Sequence, residues 1–573
     1  MVRISCARYI LECLKAEGID YIFGVPGGGN DEICYAVHEV PGLNFVLVKH
    51  EQNGVFMATG YALASGKPCA ITVTSGPGAW NALAGLDVAY MNSVPIIALC
   101  GETPTDGWGR GGWQDSSGWG PRTISQPKAF EGCVKWRATV DRASKLSLAM
   151  RDAFNAMLTG RRGPVHIHIP VDVQRETIDS ELPQPIENGM SSRTGGDPEL
   201  IRKASQLLVA AESPAILAGW GVIQSGASPD LIELAELLTA PVASTFRGKG
   251  AFPEDHGLSL GVSGSMGHEI AERYLTAENV DVLLAVGTIF SQMTTIGWKQ
   301  NYGGRKIIQV DIDPQEIGKI YPVHIGITGD AKSVLRDIVS EVKVLLKGKV
   351  RTNTNRLNRL SASKHETRHF SEPATFSDDL PIKPQRALSE IREALPKDAI
   401  VFTDCGNNCM WTERFFKAFQ PGTIIFDGST HMGWSTAGVI GAKIATPDKV
   451  VVTILGDGSF SMNCQDVKTA DTYDVPVIWC ILNDRALGAI RHRQFAMPER
   501  QAEKYVRLDL DNMDFQKFAE SCGVLSERCT RPAEIGPALK RAIESREPTV
   551  VEIVVDRDEA HPGIAALAKM VKH

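Results

Sequence analysis

The sequence predicts an α/β protein made of three doubly wound parallel-sheet domains. Three observations carry that expectation. Strand-like apolar runs alternate with helical patterns along nearly the whole chain, as parallel sheets layered by helices require. Two of these runs end in oxygen-bearing turns, Gly456-Asp457-Gly458 and Asn483-Asp484, at the edge where open α/β sheets bind ligands. Two polar stretches, Asn188 to Asp197 and about Lys347 to Lys383, divide 573 residues into three segments of ordinary domain size.

The first domain is expected over 1–185. Its strands are read at Tyr21–Val25, Cys69–Thr74 and Val94–Leu99, and it closes near Pro164–Pro170. The second, over 195–346, holds strands at Pro214–Gly219, Asp281–Val286 and Lys306–Asp311. The charged segment after it reads as a surface linker with one exposed helix. The third, over 384–573, holds strands at Val450–Leu455 and Val475–Leu482. The first and third are read as the same kind of α/β layer.

Composition narrows the classes. Hydrophobic residues make up 43% of the chain, and the net charge is −7 with a pI near 6.1. That leaves no basic footprint for nucleic acid. No apolar run approaches the roughly 20 residues of a membrane span, and the start lacks a signal-peptide core. Twelve scattered cysteines without CxxC pairs read as core thiols in a reducing cytoplasm.

The third domain carries the strongest chemistry. A carboxylate between two glycines, with a carboxamide-carboxylate pair on a neighbouring strand end, suits Mg²⁺ holding a diphosphate. Gly456 and Gly458 let the backbone approach a phosphate, and Ser459 opens the next helix with an N–H and a hydroxyl. Asp457 and Asp484 can each give the cation an oxygen. A β-turn with Asp and Gly in their usual places is the alternative.

In the first domain, Lys49-His50-Glu51-Gln52 ends an apolar run and opens a helix through Gly60-Tyr61-Ala62. Glu51 there is either a functional carboxylate or a helix-dipole charge. Thr74-Ser75-Gly76-Pro77-Gly78-Ala79-Trp80-Asn81 is a Gly/Pro loop between a strand and a helix.

Together these residues resemble the thiamine-diphosphate enzymes, in the acetohydroxyacid (acetolactate) synthase-like branch. The resemblance runs over essentially the whole chain. It includes Phe23-Gly24-Val25-Pro26-Gly27-Gly28, Gly248 to His256, Asp311-Ile312-Asp313-Pro314 and Met432-Gly433 besides the motifs above. It implies a pyrimidine-binding domain, a central domain and a diphosphate-binding domain. Glu51 would hydrogen-bond the aminopyrimidine N1′ and so favour the imino form that takes the thiazolium C2 proton. Asp457, Asp484 and the Ala486 carbonyl would ligate Mg²⁺. Asp484 stands where many relatives have Asn. Met432 would bend the cofactor from beneath, or simply pack in the core. Gly406, Asn407 and Asn408 match the position that meets the diphosphate, and Gly27, Ser75, Gly76, Asn81 and Asn483 complete the cofactor set. Glu51 and the diphosphate site come from different subunits in this family, which implies a homodimer or homotetramer.

The chain also departs from the synthase. Gln114 matches a residue facing the reacting centre, Trp113 replaces a substrate-contacting aromatic, and Gly28 lies beside them in the substrate set. Trp108, Trp113 and Trp119 sit in glycine-rich loop sequence ahead of an extra segment, 121–133. These tryptophans either mark a binding surface or anchor a long loop. Arg493 occupies the place of the tryptophan that selects the larger 2-oxo acid acceptor. It would suit an anionic partner, or belong to a solvated helix face. Thr74 stands where simple decarboxylases carry a histidine. His431 is the nearby candidate for acid–base work, or an ordinary polar neighbour. Arg161 and Asp311–Pro314 match a flavin site, whereas Gly287 to Gln292 departs from it, so FAD, ADP and CoA all stay open for the central domain.

The expected activity is decarboxylation of a 2-oxo acid and transfer to a second carbonyl. A plain decarboxylase and an FAD-linked oxidase are the alternatives.

Overall fold

The computed structural model describes residues 2–181, 183–184, 193–496, 507–511 and 513–564. The expected end of the first domain at 185, linker residues 188–192 and the chain beyond 564 lie outside the described residues.

Among the described residues, three six-stranded, all-parallel sheets form the body of the fold. The first unit contains β1 (Val2–Ser5), β2 (Tyr21–Gly24), β3 (Asn44–Leu47), β4 (Cys69–Val73), β5 (Ile96–Glu102), β6 (Trp136–Thr139), β7 (Val165–Pro170) and β8 (Thr177–Ser180). β1 and β8 pair antiparallel as a separate ribbon, and the remaining six run in the order β3-β2-β4-β5-β7-β6. The central unit contains β9 (Pro214–Ala218), β10 (Val242–Ser244), β11 (Ser259–Val262), β12 (Val282–Val286), β13 (Lys306–Asp311) and β14 (Ile325–Thr328), in the order β11-β10-β9-β12-β13-β14. This is the 3-2-1-4-5-6 order of dinucleotide-binding folds. The third unit contains β15 (Ile400–Thr403), β16 (Ile424–Ile425), β17 (Val451–Gly456), β18 (Ile478–Asn483), β19 (Leu525–Cys529) and β20 (Thr549–Val554), in the order β16-β15-β17-β18-β20-β19. Counted from the first strand of each sheet, the first and third units share one order, 2-1-3-4-6-5.

Both faces of the inner strands such as β4, β5 and β18 are covered, which is why they read as continuous apolar runs, whereas the edge strands β3 and β19 stay partly exposed. In β2, Ile22 joins one core cluster and Phe23 the other. β18 begins at Ile478 rather than Val475. Pro476 has no N–H for a ladder, and pairing with β20 starts beyond it. The segment after the central unit carries the expected helix, Thr354–Glu366.

The first and third units meet through two helices, Glu51–Ser65 and Trp434–Ala445. Glycines set how close they come. A Cβ on Gly60 would lie 1.9 Å from the Gly438 carbonyl oxygen, and one on Gly441 would lie 1.8 Å from that of Met57. Polar contacts fix the register: Asp466 accepts from the Lys49 N–H (3.0 Å) and from Asn53 Nδ2 (2.6 Å). The central unit locks to the third through fully buried Lys249. Its Nζ donates to both Glu254 oxygens (2.7 and 2.8 Å) and to the Glu413 carbonyl (2.8 Å). Among the described residues no helix is long and apolar enough to cross a membrane.

Candidate active site

The C-terminal ends of β2, β4 and β5 gather the first half-site. The Gly27–Gly29 turn rests on Thr74: a Cβ on Gly27 would lie 2.7 Å from that of Thr74, and the Gly29 N–H donates to Thr74 Oγ1 at 3.0 Å. Thr74 therefore braces a turn. Gly28 faces open space. Glu51 heads its helix behind the N-cap His50, whose ring accepts from the Gln52 N–H. Its Oε2 accepts from Asn81 Nδ2 at 2.9 Å, and its Oε1 lies 3.2 Å from a Cβ position on Gly78. Gly76, at φ +60°, backs onto Gln114, at φ +63°. The structure thus brings Gly27, Glu51, Ser75, Gly76, Asn81 and Gln114 to one sheet edge.

Sequence reasoning missed what holds Gln114 there. Glu102, fully buried at the end of β5, accepts from the Thr103 N–H and hydroxyl, from the Ser116 N–H (3.2 Å) and hydroxyl (2.5 Å), and pairs with His168 Nε2 (2.9 Å). Burial alone would raise this carboxyl, but His168, Ser116 and Thr103 hold it below the usual carboxylate range. Ser116 also accepts from the Gly76 N–H (3.3 Å), and its oxygen lies 3.0 Å from the Gln126 side-chain amide. Of the three tryptophans only Trp108 anchors the loop, donating to the Thr103 carbonyl and stacking on His168. Trp113 and Trp119 are 88% and 65% exposed. The unaligned segment 121–133 plugs in through buried Gln126 and Phe130, the latter stacked on His166.

The second half-site lies at the ends of β15, β17 and β18. Asp457 is buried at the first turn of the helix Asp457–Asn463. Asp484 follows β18 and accepts from the Ala486 N–H at 3.0 Å. Burial first, and then the negative charge of Asp457, push the Asp484 carboxyl up to about 7. Two buried carboxylates that repel each other are what a divalent cation would relieve. Among the described residues no three His, Cys, Asp or Glu side chains form a metal cage. Two carboxylates suit Mg²⁺, which completes its shell with phosphate oxygens and water.

Neighbouring groups brace these turns. Asn483 donates to Glu552 (2.7 Å) and accepts from the Arg485 N–H. Asn408 donates to the Asp404 and Ile454 carbonyls, tying β15 to β17. Ser459 donates to the Cys405 carbonyl (3.3 Å), and Gly406 takes φ +113°. Met432 reaches over the Asp457–Gly458 turn, with its Cε 3.5 Å from a Cβ position on Gly458. Asp404 sets that placement by accepting from the Gly433 and Ser435 N–H groups. It was visible in the sequence only as one more carboxylate at a strand end. Both ring nitrogens of His431 are engaged, one with the Met432 carbonyl (3.0 Å) and one with Gln52 (3.3 Å). Arg493 lies on the helix Gly488–Phe495, and no ion pair involving it is seen among the described residues.

A cavity of about 760 Å³ opens where the three units meet. Arg161, Asp311 and Gly287–Ile289, expected at one ligand site, all line it with Trp220 and Arg247. Arg161 donates to Ser93, Arg247 stacks over Trp220, and burial pushes Asp311 up to about 6. No lining residue belongs to either half-site.

Comparison with known proteins accounts for this arrangement. Residues 4–118 match the thiamine pyrophosphate enzyme N-terminal TPP binding domain, 201–338 the central domain and 404–553 the C-terminal TPP binding domain. The chain is 39% identical over 570 residues to a probable acetolactate synthase large subunit of Methanocaldococcus jannaschii, covering 97% of this chain and 93% of that one. It is 32% identical over 571 residues to the acetolactate synthase isozyme 3 large subunit of Escherichia coli, covering 98% and 96%. The crystal structure of benzoylformate decarboxylase from Polynucleobacter necessarius has the same fold, with a TM-score of 0.82 at 22% identity over 97% of this chain and 99% of that one. With matches to all three domains and relatives of this identity along nearly its full length, the chain belongs to the acetolactate synthase-like family of thiamine pyrophosphate enzymes.

Proposed function

We propose that the chain is a thiamine-diphosphate- and Mg²⁺-dependent lyase/carboligase that decarboxylates a 2-oxo acid and transfers the remaining fragment to a second carbonyl compound. The observation that carries this reading is the pairing of two half-sites on like sheets: a carboxylate at the head of a helix in one, and two cation-ready carboxylates in the other. When bound, thiamine diphosphate supplies the carbon nucleophile and the electron sink for decarboxylation. Asp457, Asp484 and the Ala486 carbonyl hold Mg²⁺, and Gly406, Asn407, Gly456, Gly458 and Ser459 receive the diphosphate. Met432 shapes the cofactor, while Asn408 and Asn483 keep its turns in place. Glu51, oriented by Asn81, holds a proton at the aminopyrimidine nitrogen.

Gly27, Ser75 and Gly76 form the pyrimidine wall, and Gly28, Trp113, Gln114 and Arg493 face the substrates. Arg493 favours an anionic acceptor. His431 moves a proton only by giving up Gln52. The three domains are 1–185, 195–346 and 384–573. The working unit is a homodimer at least, in which Glu51 of one chain completes the Asp457 half-site of the other. Glu51 turns to Asn81, whereas the chain's own first–third contact uses Asn53, Met57 and Gly60. No step calls on a flavin.

The test is Glu51→Gln assayed against a panel of 2-oxo acids by CO₂ release and product mass. Turnover should fall at least about a hundredfold. Unchanged turnover would overturn the mechanism. Aldehyde release with no acceptor product would reassign the enzyme as a plain decarboxylase.

A further inference from the structure

Asn407 lies beside the carboxylate pair, yet the structure leaves its Oδ1 buried without a hydrogen-bond partner. Its Nδ2 contacts His492 Nδ1 at 3.2 Å. The other ring nitrogen of His492 lies 2.7 Å from the Arg557 carbonyl. A carbonyl only accepts, so Nε2 carries the hydrogen. In the neutral ring Nδ1 must then accept, so Asn407 donates through Nδ2 and its oxygen turns away. Burial favours that neutral ring. Arg557 is itself held: the chain runs from Asp556 and Glu559, both paired with Lys383, to His561, whose ring packs on Trp411. On the other side, a Cβ on Gly488 would lie 2.6 Å from Asn407 Nδ2 and 2.1 Å from Asp484 Oδ2, so the amide and the carboxylate share one small space.

We propose that His492 is a positioning residue for the cofactor: bridging the Arg557 carbonyl to Asn407, it fixes the amide so that the Asn407 oxygen faces the cation and the second Nδ2 hydrogen is left for the diphosphate. The inference rests on the thiamine-diphosphate reading of the site. Its consequence is that the segment 556–561, remote in sequence from both half-sites, sets cofactor affinity through one imidazole.

The experiment measures thiamine diphosphate binding to apo-protein in excess Mg²⁺ by tryptophan fluorescence and calorimetry, independently of turnover. His492→Phe keeps the ring and loses both hydrogen bonds; it should weaken binding about tenfold, the worth of one well-placed hydrogen bond. His492→Gln can donate to Arg557 and accept from Asn407, and should bind within about threefold of wild type. In an Asn407→Ala background, His492→Phe should have no further effect. Wild-type affinity in His492→Phe, equal loss in His492→Gln, or additive losses with Asn407→Ala would each overturn the proposal while leaving the cofactor reading intact. If His492→Phe does not fold, His492→Gln and the single Asn407→Ala variant, which should itself weaken binding about tenfold, still decide. A wild-type protein that binds no thiamine diphosphate overturns both.

Discussion

Replacing Gly60 by alanine would put a methyl carbon 1.9 Å from the Gly438 carbonyl oxygen and 2.7 Å from its carbon. Carbon and oxygen pack at about 3.3–3.6 Å, so the helices Glu51–Ser65 and Trp434–Ala445 must part by about 1.4 Å or more. Backbone blocks the methyl, so no rotamer change relieves the clash. The parting would also open the facing contact between Gly441 and the Met57 carbonyl. Overpacking of this kind costs about 3 kcal/mol, at the upper end of its usual range. That lowers the melting temperature by roughly 6–12 °C. Because Glu51 heads the displaced helix, thiamine diphosphate affinity should fall as well. Differential scanning fluorimetry and a cofactor titration measure both. Gly257→Ala, with nothing within 4 Å of the new methyl, is the control. If Gly60→Ala melts within about 2 °C of wild type and binds cofactor equally well, the helices do not cross as described.

Three further outcomes are expected. Asp484→Asn should raise the melting temperature of the cofactor-free protein, because it removes the repulsion from Asp457, while weakening Mg²⁺ binding about tenfold; calorimetry with Mg²⁺ reads the second effect. Burial, against the opposing charge of Lys249, pushes the Glu413 carboxyl up to about 8 from an ordinary 4.5. The stability it contributes is complete below pH 4.5 and is lost as the pH rises through about 8. Glu413→Gln should therefore gain stability over wild type between pH 5 and pH 8, by on the order of a few kcal/mol read from melting curves, and a constant difference across that range would contradict the assignment. Glu102→Ala strands His168 and the Ser116 N–H in the core at a cost of about 3–5 kcal/mol. It should speed tryptic cleavage at Arg110 and Arg122, and equal digestion rates would show that Glu102 does not hold the loop.

Much of the fold was legible because buried parallel strands are continuous apolar runs, and because turns that meet phosphate need glycine beside oxygen. The β17 and β18 turns could be read for that reason. Glu102 could not: a lone carboxylate after an apolar run says nothing about a histidine 66 residues later on another strand. His492 was hidden for the same reason, since its partners lie 85 and 65 residues away. Nothing local in the sequence told that Gly60, Gly438 and Gly441 admit a close helix crossing. The three tryptophans looked alike in sequence, yet one is an anchor and two are exposed. That distinction belongs to packing against His168, which no local pattern encodes.

The shared strand order of the first and third units has a consequence for how this enzyme diversifies. Strand by strand, the Gly27 turn after β2 corresponds to the Gly406-Asn407 turn after β15. The Ser75-Gly76 loop after β4 corresponds to the Asp457 turn after β17. The tryptophan loop after β5 and the Asp484–Arg493 segment after β18 both follow the fourth strand of their sheets. On the roles proposed for Trp113, Gln114 and Arg493, substrate choice is inscribed twice at one address of a repeated frame. Those two segments should be exchanged between relatives as a pair, because moving either alone would mate a foreign wall with a native one.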